Sequence, residues 1–123
     1  GKPSSKHKKY YQAILKGEKE ALNALKPGAK ASEIFHIAMK SVKETGIPHY
    51  KRHHCGHGVG IELYDPPLLA PSNNTAIMEG MILAVETPYY EFGFGGLHVE
   101  DIIVVTKSGF AFLSESERGL YEL

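Results

Sequence analysis

Cysteine is nearly missing from this sequence: Cys55 is the only one in 123 residues. A lone thiol closes no internal disulfide, and no charged-then-apolar leader opens the chain, so a cytoplasmic, reducing setting is expected and secretion is not. Net charge is missing too, because fourteen Lys and Arg balance fourteen Asp and Glu. That balance removes the electrostatic case for a nucleic-acid partner or an anionic membrane surface. Long hydrophobic runs are lacking as well. The longest, such as Ile102 to Val105, fall far short of the roughly 20 residues that a membrane-spanning helix needs. What remains, 42% hydrophobic and 23% charged, suits one modest globular domain. The chain does not open with Met, and Gly1-Lys2-Pro3-Ser4-Ser5 looks like the end of a loop feeding a helix, so a fragment of a longer protein is expected.

Ser4 or Ser5 can cap a first helix running to about Lys26, with Tyr11, Ile14, Leu15, Leu22 and Leu25 near helical spacing and Lys and Glu at the other positions. Pro27-Gly28 ends it. Ser32 offers a cap for a second helix, striped by Ile34, Phe35, Ala38 and Val42 and closed by Gly46. After Pro48 the 3.6-residue period disappears. Met81 to Thr87 and His98 to Thr106 are strand-like, Gly93 to Gly96 has hairpin-loop chemistry, and Lys107-Ser108-Gly109 is a turn before Phe110 to Leu113. The stretch from Leu68 to Glu79 has loop composition, and Ser114 to Gly119 is expected to cap a last helical turn. The fold class is therefore α+β, two helices followed by an antiparallel β meander over residues 1–123.

Histidine and glycine are what the chain has in quantity: seven His, four of them between His49 and His57, and thirteen Gly. In His53-His54-Cys55-Gly56-His57-Gly58-Val59-Gly60, His57 sits between two glycines, which let the backbone approach a bound ion or substrate closely. Imidazole with an open approach is a natural ligand for a divalent ion, whereas the bland alternative is a glycine-rich turn with exposed histidines. Cys55 has no paired CxxC and is expected to be a buried thiol. A period of two puts Ile82, Ala84 and Glu86 on one face of the first strand, and His98, Glu100, Ile102 and Val104 on one face of the second. Each strand thus carries a carboxylate among apolar neighbours, tolerable where a cation, a basic side chain or water meets it.

Taken in order, Gly56-His57-Gly58-Val59-Gly60, Asp65-Pro66-Pro67, Glu79-Gly80-Met81, Val85-Glu86-Thr87-Pro88 and Val99-Glu100-Asp101-Ile102 resemble the pita-bread metallopeptidases, the group of methionine aminopeptidase, aminopeptidase P and prolidase. The resemblance is strongest to the Xaa-Pro peptidase branch and runs from the opening loop to about Leu113. It implies that His57, Glu86 and Glu100 are metal ligands for two divalent ions, Mn, Co or Zn, with Glu100 bridging. Two Asp ligands of the family are absent, as if the chain were the C-terminal portion of a pita-bread domain cut downstream of them. The implied reaction is hydrolysis of an N-terminal Xaa-Pro bond by a metal-activated water, with Glu86 relaying the proton. His53 resembles a substrate-facing histidine of the branch. Tyr64 stands where many relatives have a second catalytic histidine, and His98 where they have an arginine, so both are expected at the substrate with altered preference. The implied partners are a peptide substrate, the missing N-terminal part of the same protein and, in the intact form, a second copy in a homodimer. Two rival functions stand beside this one: a pita-bread binding module without catalysis, and a metal-dependent lyase or amidohydrolase acting on a small polar molecule.

Overall fold

The computed structural model describes residues 1–122. Helix α1 spans Ser5–Ala24, and of the two candidate caps it uses Ser4, whose Oγ accepts the His7 N–H at 3.3 Å. Helix α2 spans Ala31–Thr45. Ser32 is not its cap. The cap lies two residues earlier, at Lys30, because Glu33 reaches back to accept its N–H at 3.1 Å, leaving Ser32 buried in the first turn with its hydroxyl on Asn74. The two helices cross closely at Gly17, where a Cβ would stand 2.2 Å from Val42 Cγ2. Ile14, Leu22, Ile34, Ala38 and Val42 are sealed in the resulting seam.

Six strands follow: β1 (Gly56–Gly58), β2 (Ile82–Glu86), β3 (Tyr89–Glu91), β4 (Gly95–Leu97), β5 (Glu100–Val105) and β6 (Phe110–Phe112). β1, β2, β5 and β6 form one antiparallel sheet in the order β1-β2-β5-β6, while β3 and β4 make a separate hairpin. The glycine-rich 93–96 loop therefore turns this small hairpin and does not join the two long strands directly.

Alternation decides which way each side chain faces. Leu83, Val85, Ile103 and Val105 are buried in one core with the helix residues. Thr87 fastens the end of β2 to α1, its hydroxyl donating to the Ile14 carbonyl at 2.8 Å. The opposite face is partly open, with Ile82 40% and Ile102 39% exposed. Beyond β6 the chain forms no helical turn at 114–119. An extended tail is held instead by Arg118, which pairs through Nε and Nη2 with the buried Asp101, and by Tyr11, which donates to the Gly119 carbonyl. No helix among the described residues is long and apolar enough to cross a membrane.

Candidate metal centre

The Gly56-His57-Gly58 triplet is an edge strand and not a loop. Its glycines answer to the protein's own backbone. Gly56 has φ +152°, and a Cβ there would lie 2.3 Å from the Ala84 carbonyl oxygen; one on Gly58 would lie 2.4 Å from that of Pro66. Side chains at either position would push β1 off its neighbours. The flanking glycines thus let the strand nest between β2 and the 65–67 segment, a different use from close approach to a ligand.

Register then places the acidic residues. His57 pairs with Ala84, Ala84 with Ile102, and Glu86 with Glu100, so His57, Glu86 and Glu100 project from one face of the sheet, the partly open one. Glu86 is 8% exposed, whereas the Glu100 side chain is 39% exposed, so just one carboxylate of the pair is buried. Like charges directly opposite each other across an antiparallel pair repel. His98 relieves this: its Nε2 lies 2.9 Å from Glu86 Oε2 and 3.5 Å from Glu100 Oε2. One ligand atom from each of Glu86, His98 and Glu100 falls within 4.8 Å of the other two, and this is the one such group of three among the described residues. His57 stands outside that trio. Its Nδ1 is 2.8 Å from the Gly58 carbonyl, which can only accept, so Nδ1 carries the proton and Nε2 presents a lone pair.

Tyr64 and a second histidine close the site on the β1 side. Tyr64 returns over β1 because Asp65 turns the loop, accepting the Glu62 N–H at 2.9 Å while its own carbonyl accepts that of Gly58 at 2.8 Å. The Tyr64 ring centroid lies 4.7 Å from that of His57 and 5.2 Å from that of His54. The sequence motifs favour His53 over His54. In the fold it is His54 that reaches Glu86, with Nδ1 3.3 Å from Oε1 though off the hydrogen-bond direction, while His53 is exposed. Burial is the main reason that His54 is held below the ordinary histidine range, against the opposing pull of Glu86. What aligns it is non-local: Glu86 N–H bonds to the Cys55 carbonyl at 2.9 Å, tying residues 54–55 to the end of β2. Cys55 itself is a buried thiol, pushed well above its usual pKa by that burial.

The donor set suits a divalent ion. Two carboxylates and an imidazole converge with their ligand atoms already close, a second imidazole offers Nε2 on the same face, and His54 Nδ1 is buried without a hydrogen-bond partner. Comparison with known proteins agrees with this chemistry: the model of Metallopeptidase family M24 matches residues 1–107. This chain belongs to family M24. An Xaa-Pro dipeptidase of Pyrococcus horikoshii is 37% identical to it over 120 residues, covering 98% of this chain and 34% of that protein. Among solved structures, the prolidase from Pyrococcus horikoshii superposes with TM-score 0.91 at 36% identity over 98% of this chain, and the prolidase from Pyrococcus furiosus with 0.88 at 35% over 95%. Each match covers 35% of the solved chain. The M24 chain described here therefore spans about a third of the length of these relatives, and its two-helix, antiparallel-sheet architecture is that of one part of the pita-bread fold.

Proposed function

We propose that this M24 chain supplies the His57, Glu86 and Glu100 side of a dinuclear centre that hydrolyses N-terminal Xaa-Pro bonds, the remaining ligands coming from an N-terminal part of the same protein. The observation that carries the proposal is the direct cross-strand pairing of Glu86 with Glu100, on the face that also bears His57. The names of the relatives, Xaa-Pro dipeptidase and prolidase, support the substrate class. The partly open sheet face, with Ile82 and Ile102 exposed, supports a covering partner segment.

In this scheme His57 and the two carboxylates would hold two divalent ions, Mn, Co or Zn. When bound, such ions supply Lewis acidity, which polarises the scissile carbonyl and makes a water nucleophilic near neutral pH. Glu86, buried against His54 and His98, takes the proton and passes it to the leaving nitrogen. Tyr64 donates from its phenol to the substrate beside His57, and His98, half exposed at the rim, meets a polar group of the peptide. His53 has no contact that supports a part in the chemistry and is kept as an outer substrate contact only. A homodimer and a cytoplasmic setting, consistent with the single buried thiol, complete the proposal.

Hydrolysis of Xaa-Pro dipeptides by the full-length parent, with Mn or Co, tests it. Turnover that is lost in Glu86→Gln and Glu100→Gln is expected. Turnover in the presence of a chelator, or activity restricted to non-peptide amides, would reject it.

A further inference from the structure

A second concavity shares no lining residue with the metal centre. Residues 49–52, leading into β1, and 88–91, following Glu86, enclose a cavity of about 370 Å³. Its walls are aromatic: Tyr50 and Tyr89 are buried and Tyr90 is exposed. Its charge is unbalanced. Glu91 is the one acid in the lining, and it is already engaged, by Lys6 Nζ at 2.6 Å and by the Tyr89 hydroxyl at 2.5 Å. Tyr89 gives its only proton to Glu91, so it is His49 Nε2 that donates to the Tyr89 oxygen, at 2.9 Å.

Lys51 and Arg52 are left without a carboxylate within ion-pair distance among the described residues. Arg52 has a more specific deficit. Its Nε is sealed from solvent and meets no acceptor, while its guanidinium carbon sits 5.8 Å from the Tyr90 ring centroid. A ring beside the guanidinium orients it, and a guanidinium with no carboxylate partner suits a two-oxygen anion.

We infer that this cavity is a binding site for a small oxyanion, a carboxylate or phosphate group held by Arg52 and Lys51, with the tyrosine walls accommodating the apolar body of the molecule that carries it. The site stands whether or not the chain takes part in peptide hydrolysis, since it uses none of the metal-centre residues.

Titrating the isotope-labelled full-length parent with acetate and, separately, with inorganic phosphate tests it, in chelator and at constant ionic strength, with amide NMR shifts as the readout. Saturable shifts confined to residues 49–52 and 88–91 are expected with both anions. Arg52→Gln, which keeps a polar side chain but loses the charged fork, should weaken binding about ten-fold or more, and Arg52→Lys should restore part of it. Saturation by phosphate alone would support the site and narrow it to phosphoryl groups. Absence of saturable shifts with either anion, or shifts unchanged in Arg52→Gln, would overturn the inference. Should Arg52→Gln fail to fold, Lys51→Gln decides, because Lys51 is exposed and its loss leaves the packing intact: unchanged affinity there counts against the site.

Discussion

Glu86 and Glu100 face each other as direct partners across β2 and β5, and His98 bridges them from 2.9 and 3.5 Å. The arrangement gives the carboxylate pair a protein-borne hydrogen-bond donor in the position where a cation would also sit. Metal binding must therefore displace His98 from Glu86 or recruit it as a ligand.

Divalent metal should accordingly bind the 123-residue chain weakly, because the aspartates of the implied ligand set are not in it and water must complete the coordination. Calorimetry with Mn or Co checks this. His98→Ala should change the affinity measurably, whereas Glu86→Gln should abolish binding. Tight binding at two sites by this chain alone would contradict the expectation.

Tyr64 packs on His57 at 4.7 Å between centroids, close enough for its phenol to serve a substrate atom at the centre. In the full-length parent, Tyr64→His should raise Xaa-Pro hydrolysis or leave it unchanged. A well-placed donor to developing oxyanion charge contributes on the order of 2.7–4 kcal/mol. If Tyr64→His and Tyr64→Phe both abolish turnover, the phenol is itself the donor and the preferred substrate differs from a simple Xaa-Pro dipeptide. Loss confined to kcat would mark a transition-state contact, and loss confined to KM uniform binding.

Glu18 is fully buried in α1, and neither carboxyl oxygen meets a hydrogen-bond donor with good geometry. Burial, reinforced by the neighbouring Asp101 carboxylate, pushes its carboxyl up from 4.5 to about 9. A carboxyl whose folded pKa is raised favours the folded state fully below the unfolded value, and this contribution is lost as pH rises through the folded one. Stability should thus fall between about pH 4.5 and pH 9. Glu18→Gln should flatten that slope and stabilise the chain at pH 8 by on the order of 1–3 kcal/mol. Urea unfolding at pH 5 and pH 8 measures it, and a parent whose stability is equal at the two values would refute it.

Gly58→Ala should cost about 1–3 kcal/mol, because the new Cβ meets the Pro66 and Asp65 carbonyl oxygens at 2.4 and 2.9 Å and β1 must shift. Since the same segment brings Tyr64 over His57, the Tyr64 ring resonances should move with the loss of stability. A variant with parental stability and unshifted Tyr64 signals would show that β1 has room to spare.

The features legible in the sequence are those set by neighbours along the chain. Helical spacing, the Ser4 cap and the Pro27-Gly28 break define α1 and its end, and period-two alternation places His98 with Glu100 and Ile82 with Glu86. Glu18 continues the Ile14 and Leu22 stripe at four-residue spacing, although a carboxylate ordinarily faces solvent. The motifs pointed to His57, Glu86 and Glu100 as one constellation, and family M24 membership agrees with the resemblance on which that rested. What only the tertiary structure decided depends on contacts between segments far apart in sequence. The register Glu86 to Glu100 makes His98 the third member of the closest cluster, and the bond from Glu86 to the Cys55 carbonyl brings in His54, which no motif singles out. Gly56-His57-Gly58 is too short to declare itself a strand by pattern, and becomes one because the Ala84 and Pro66 carbonyls leave space for a backbone and no side chain. Local preference selects among conformations of a few residues, whereas strand pairing and burial are decided by which distant surfaces the whole chain can bring into contact at once.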